Sequence, residues 1–273
     1  MRTLAILLAG GAGRHPANVV AQAQLTMSDI ALDEGDWAAA VAASSAARAG
    51  FDDVGDRRRS AWACLDGVTA SWGTGDRATA ERLLAECLDG FRGLDDDFGL
   101  AMTLWAASLL DPDRATATAM AVEAERRFRE YGAPMMRAHA LEARGLVEIE
   151  AGDLDSAAPF LHEATEVLAA TGNAGCTAHA LEAVAVWAAE RGDPSSAGEL
   201  VGAAESLRSA SGAGHKPWEV RARHGGSFDA DVLGEDGAVR DAIQRGRQSS
   251  LAAAAELVAA LLAPATDARR RPA

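Results

Sequence analysis

Six residues recur letter for letter forty positions apart: Ala138-His139-Ala140-Leu141-Glu142-Ala143 and Ala178-His179-Ala180-Leu181-Glu182-Ala183. A His and a Glu three apart are neighbours on one helix face, so two imidazoles and two carboxylates could hold a divalent metal or hydrogen-bond a polar ligand. A metal needs its donor atoms within about 2.0–2.2 Å of one ion. Four side chains on helices a hairpin apart seldom meet that demand, so the expectation is no metal and no cofactor. The motif instead reads as a polar inner face offered to a ligand or partner. Asp95-Asp96-Asp97 and Asp52-Asp53 lack the alternating oxygens, turn Gly and terminal Glu of a calcium loop and read as solvated loop tips. Cys64, Cys87 and Cys176 show no CxxC or Cys/His spacing and read as buried thiols of a reducing compartment. No Ser/His/Asp or Cys/His arrangement has a recognisable context, so no catalytic residue is assigned.

One further motif could do chemistry. Leu8-Ala9-Gly10-Gly11-Ala12-Gly13-Arg14, preceded by Thr3 to Leu7, resembles the glycine-rich loop of sugar-nucleotide and molybdopterin nucleotidyltransferases. There, backbone amides hold a triphosphate. That resemblance implies a nucleotide-dependent transferase, the alternative to a binding protein. The later Gly and Lys of those enzymes are missing, however: His15-Pro16-Ala17-Asn18 follows, and a helical pattern begins at once. Arg2 to Ala9 therefore reads as the end of an incomplete repeat, closed by Gly10 and Gly11.

The elements that must position these residues follow from composition and period. The chain has 273 residues, 49% of them apolar and only 5% aromatic. It is rich in alanine and poor in β-branched residues, which favours helix and argues against sandwiches and barrels. A net charge of −14, with Lys216 the one lysine, opposes direct binding to nucleic acid or an anionic membrane. No apolar run reaches the roughly 20 residues of a membrane span, and the N-terminal apolar stretch is at the short end for a secretory signal. A cytoplasmic protein is expected.

Gly-Asp recurs in register at Gly35-Asp36, Gly75-Asp76, Gly152-Asp153 and Gly192-Asp193, and Pro112-Asp113 fills the gap, giving Asp-to-Asp steps of 40, 37, 40 and 40. The fourth residue after each Asp is Ala (Ala40, Ala80, Ala117, Ala157, Ala197). The eleventh is small (Ala47, Cys87, Ala124, Ala164, Ala204). Small residues seven apart mark a helix seam, and Phe160, Leu161, Val167 and Leu168 complete an i, i+3, i+4, i+7 stripe. Each Asp can N-cap a second helix while the Gly before it closes the first. The first helices are predicted at 20–34, 58–73, 98–110, 135–151 and 176–191. Glycine-rich joints (Gly50 to Gly55, Gly90 to Gly99, Gly132 to Pro134, Gly172 to Gly175, Gly212 to Gly214) should separate the pairs. Trp37, Trp62, Trp72, Trp105 and Trp187 fall on these helices as core fillers. Trp62 shares the repeat position of His139 and His179, which makes it a candidate partner anchor in the same groove.

Gly145-Leu146, Gly152-Asp153, Ala157, Leu161 and Ala164 resemble a tetratricopeptide repeat, and the likeness covers roughly residues 20–212. The step near 40, where about 34 is usual, resembles the sensor arms of large ATP-dependent bacterial transcriptional regulators of the LuxR-type and maltose-regulator-like groups. Leu200-Val201-Gly202-Ala203-Ala204-Glu205 with Leu207-Arg208 is similar to the last repeat of those arms, and Arg245-Gly246-Arg247 with Ser249-Ser250 stands where their closing turn lies. The acidic residues of that turn are replaced by Ala253 and Ala254. No Gly-x4-Gly-Lys-Ser/Thr phosphate loop occurs. The resemblance thus implies the arm alone, from a shorter paralogue or a longer reading frame, with ATPase and DNA-reading parts elsewhere.

The expected fold is all-α: a right-handed α-α superhelix of about five helical hairpins with a short C-terminal helical cap. The expected division is a degenerate half-repeat or cap at 1–19, repeats at 20–212, a linker at 213–236, a cap at 237–264 and a disordered tail at 265–273. The expected function is a non-catalytic binding module. Its concave face would take a protein segment or small effector, with Trp62, His139, Glu142, His179 and Glu182 as the candidate groove residues.

Overall fold

The computed structural model of the chain describes residues 15–111, 113–211 and 237–263. Every regular element among them is an α-helix. Ten helices form five hairpins: α1 (Ala17–Glu34) with α2 (Trp37–Asp53), α3 (Arg57–Gly73) with α4 (Arg77–Arg92), α5 (Asp97–Leu110) with α6 (Arg114–Tyr131), α7 (Pro134–Glu150) with α8 (Leu154–Ala170), and α9 (Ala174–Glu190) with α10 (Pro194–Ser211). Two shorter helices, α11 (Gly237–Gln248) and α12 (Leu251–Leu262), follow. The helices gather into two compact units, one holding α1 to α6 and the other α7 to α12. In the second, α11 lies along α10, and α12 lies against α8, α9 and α10. The expected all-α repeat of helical hairpins with a C-terminal helical cap is therefore present. The glycine-rich loop Leu8 to Arg14, the linker at 213–236 and the tail at 265–273 lie outside the described residues. Ala17, Asn18 and Val19, assigned from sequence to a half-repeat, are the first turn of α1.

Four of the five hairpins turn at a Gly-Asp pair, and in all five the Asp caps the second helix. Asp36, Asp76, Asp113, Asp153 and Asp193 accept hydrogen bonds from the backbone N–H three residues on, at 2.9–3.1 Å. Gly35, Gly75, Gly152 and Gly192 take φ between 69° and 82°, where a side chain would be strained. The ten seam residues, from Ala40 to Ala204, are at most 2% exposed. Small side chains there let the paired helices close up, while Phe51, Phe91, Phe128, Leu161, Leu168 and Leu200 fill the space beside them.

Several glycines do a different job from the one their sequence suggested. Gly50, Gly90, Gly99 and Gly175, read as joints, lie inside helices. At Gly99 a Cβ would stand 2.2 Å from the Phe91 ring, so glycine there admits an aromatic side chain from α4. Asp96 is likewise no solvated tip. It N-caps α5, is 8% exposed and pairs with Arg58 at 3.3 Å. Cys64 and Cys87 are buried, but Cys176 is half-buried, because it sits in the first turn of α9. Among the described residues no helix is long and apolar enough to cross a membrane.

Candidate functional site

The repeated hexapeptide lies on α7 and α9, the first helices of the fourth and fifth hairpins. Its alanines, Ala138, Ala140, Ala143, Ala178, Ala180 and Ala183, are all essentially inaccessible. With so little side-chain volume around them, the imidazoles of successive hairpins come together. The His139 and His179 rings stand edge to face with centroids 5.1 Å apart. Glu142 Oε2 lies between them, 3.2 Å from His139 Nδ1 and 2.5 Å from His179 Nδ1.

Glu142 is 1% exposed, so its charge must be matched inside the protein. Burial pushes its carboxyl up, but the His179 charge and hydrogen bonds from both imidazoles outweigh that and hold it down at about 2. For His139, burial disfavours the charged ring, whereas hydrogen bonds to Cys176 and Glu142 favour it more strongly and lift it to about 9. The trio is therefore a buried cluster in which one carboxylate serves two imidazoles. The donor atoms of His139, Glu142 and His179 all lie within 4.8 Å of one another.

Glu182, the second glutamate of the motif, is not part of this cluster. It forms a two-armed ion pair with Arg208 of α10, one arm at 2.9 Å from Arg208 Nη2 to Glu182 Oε2 and the other from Nη1 to Oε1. Both partners are almost fully buried. Trp62 lies in the other unit, half-buried, with its ring edge-on to Phe91 at 5.2 Å and tilted against Phe98 at 6.0 Å. Thus Glu142, His179 and Glu182 are enclosed between helices, and Trp62 rests on an aromatic cluster. Of the five residues read as one groove, the structure brings three together. Trp105 and Trp187 are core residues as expected, Trp187 donating its indole N–H to the Leu154 carbonyl at 2.8 Å.

Three features escaped the sequence reading. In the sequence Arg208 stands out only as part of a helix motif. Its spacing was the available signal, since 26 residues separate it from Glu182 whereas the same step from Glu142 reaches Leu168. In the first unit, Arg48 on α2 reaches Glu86 on α4 at 2.6 Å and lies 3.4 Å from the Cys64 sulfur. Bonding to Cys87 and the Arg48 charge hold the Cys64 thiol down against burial, while Cys87 is pushed up. On α3, Asp66 is driven up to about 8 by burial and then by the charge of Asp29. The first unit also contains a cleft of about 140 Å³ among α3, α4 and α5. Trp72, Ala80, Leu84, Ala107 and Leu110 line it, with Arg77, Glu81 and Asp111 at the polar edge.

No protein-family model matches this chain, and no curated protein matches it.

Proposed function

We propose that the chain is a non-catalytic binding module in which helical hairpins present a recognition surface for a protein segment. The cleft of the first unit carries this reading. At about 140 Å³ it is smaller than the roughly 300–1,000 Å³ of small-molecule sites, and suits one apolar side chain of a partner better than a whole effector. The charges of Arg77, Glu81 and Asp111 at its edge would set the orientation of the flanking backbone. The fixed seams support the same reading, because they hold the fold while leaving the remaining surface free to vary. A displayed peptide library selected on the full chain tests it. Enriched peptides should share an apolar anchor and lose at least about tenfold in affinity on Trp72→Ala. Peptides that bind Trp72→Ala as well as the parent would sink the assignment.

Within this reading, the likeness of the fifth hairpin to regulator sensor arms makes a bacterial transcriptional regulator the proposed setting, with a cytoplasmic location. Capture of the native product and its intact mass checks the setting. A product carrying ATPase and DNA-reading parts, or one of 28.2 kDa captured with a protein that carries them, is expected; one of 28.2 kDa with neither would overturn it.

A further inference from the structure

The His139, Glu142 and His179 cluster has a geometry that its ion pairs alone do not require. His139 and Glu142 are three apart on α7, and Cys176 and His179 are three apart on α9, so each helix turns one ligand-type pair toward the other. Glu142 Oε1 is buried and makes no hydrogen bond, leaving acceptor capacity inside the protein. Cys176 hydrogen-bonds His139, is only half-buried and has its sulfur 3.7 Å from Met135 Sδ, so a thiol borders the cluster on its His139 side without yet standing among the three donors.

A tetrahedral ion with bonds of about 2.0–2.2 Å to nitrogen and oxygen separates its ligand atoms by about 3.3–3.5 Å. His139 Nδ1 and Glu142 Oε2 already stand 3.2 Å apart. His179 Nδ1 is 2.5 Å from the same oxygen, so it must withdraw by somewhat under about 1 Å to admit the ion. A small rotation of the glutamate or the imidazole supplies that. Charge also closes: two neutral imidazoles, a carboxylate and a thiolate neutralise a divalent cation, so an alanine-walled interior would enclose no net charge. Nitrogen and sulfur donors select against calcium and magnesium.

We propose that His139, Glu142 and His179 hold a divalent transition metal of the Zn²⁺ class, with the Cys176 sulfur turning in from Met135 to complete a tetrahedral site that clamps the fourth hairpin to the fifth. With four protein ligands the site is closed, and its role is structural. Apo protein is the full chain, untagged and reduced. It should take up one equivalent of Co²⁺ with the intense visible bands of a tetrahedral ion and a near-ultraviolet thiolate band, and Zn²⁺ should displace it with Kd of about 1 µM or tighter. His179→Ala and Glu142→Gln, each first checked for helix content, should weaken Co²⁺ binding at least about 100-fold, beyond the effect of losing an outer partner. Cys176→Ser should remove the near-ultraviolet band and keep the visible ones. His162→Ala should change nothing, since half-exposed His162 pairs at 3.6 Å with Glu166 of its own helix, α8, and would host only a surface ion. If Glu142→Gln fails to fold, the Cys176→Ser spectrum still decides. A wild-type spectrum without tetrahedral bands, or one lost with His162→Ala and kept with His179→Ala, overturns the site. Tetrahedral bands without a thiolate band overturn the four-ligand set.

Discussion

The same substitution, glycine to alanine, should destabilise the protein at Gly202 and stabilise it at Gly90. On α10, a Cβ at Gly202 would stand 2.1 Å from the Ile243 carbonyl oxygen and 3.0 Å from the Arg247 nitrogen of α11. Carbon to oxygen contacts settle near 3.3–3.6 Å, so α11 must withdraw by about 1 Å or more. Those neighbours are backbone and cannot swing aside. Gly246 faces the reverse approach, its Cβ 1.9 Å from the Glu199 carbonyl, so the two helices touch main chain to main chain. Withdrawal would open Val239, Ala242 and Ile243, each at most 4% exposed. Overpacking of this kind costs about 1–3 kcal/mol, against a helix-propensity gain of about 0.5–1 kcal/mol for alanine over glycine. At Gly90 of α4 the new Cβ would meet only Ala61 Cβ, at 3.6 Å, an ordinary contact. There the propensity gain stands alone; it is common to both variants, so they should differ by the overpacking cost, about 1–3 kcal/mol. Urea unfolding followed by circular dichroism gives the difference, and hydrogen exchange locates it, because repeat proteins open in parts. Gly202→Ala should lose protection first in residues 237–262. Protection there equal to wild type, with stability unchanged or raised, would refute the close-approach argument.

Removing one partner of the buried Glu182 and Arg208 pair, as in Glu182→Gln, should cost about 3–5 kcal/mol, and Glu182→Leu combined with Arg208→Met should recover most of it. Urea midpoints decide, and single changes costing under about 1 kcal/mol would mean that the pair is solvated. Ala157→Trp, Ala164→Trp and Ala197→Trp fall on seam positions at most 1% exposed and should each cost about 1–3 kcal/mol or more; melting like wild type would disprove the register. Asp66, lifted to about 8, keeps a proton in the folded state that the unfolded chain sheds near its ordinary 3.8. Its term is fully favourable below that pH and is lost as pH rises through about 8, by up to about 1.4 kcal/mol per unit. Asp66→Asn should therefore flatten the fall in Tm across that interval, and equal slopes would rule out a buried protonated Asp66.

Local chemistry explains what the sequence disclosed. An N-cap is a contact over three residues, so Asp36 through Asp193 announce five helix starts without knowledge of the fold. The seams were legible for the same reason, since their period is a property of one helix. Glycine was ambiguous because it has two uses. Where Asp follows, as at Gly35 and Gly192, it takes a left-handed turn; at Gly99 and Gly202 it makes room for another helix, which depends on what arrives from across the core. Asp96 shows the same limit, because its burial comes from packing that no local pattern records.

The hexapeptide shows where repetition stops determining contacts. Glu142 and Glu182 have identical neighbours over six residues and occupy the same repeat position, yet one meets imidazoles and the other a guanidinium. A buried carboxylate must be compensated, and the compensating group is whatever the adjoining helices supply. For Glu142 the next hairpin brings His179, while its own second helix offers Leu168 where Arg208 would be. Glu182 lies on the first helix of the last hairpin, and its own second helix supplies Arg208. One glutamate therefore ties hairpin to hairpin and the other closes a hairpin on itself. The difference lies in the partners, Leu168 against Arg208, and not in the motif, so a change at either partner position should redirect the charge while leaving the repeated six residues intact.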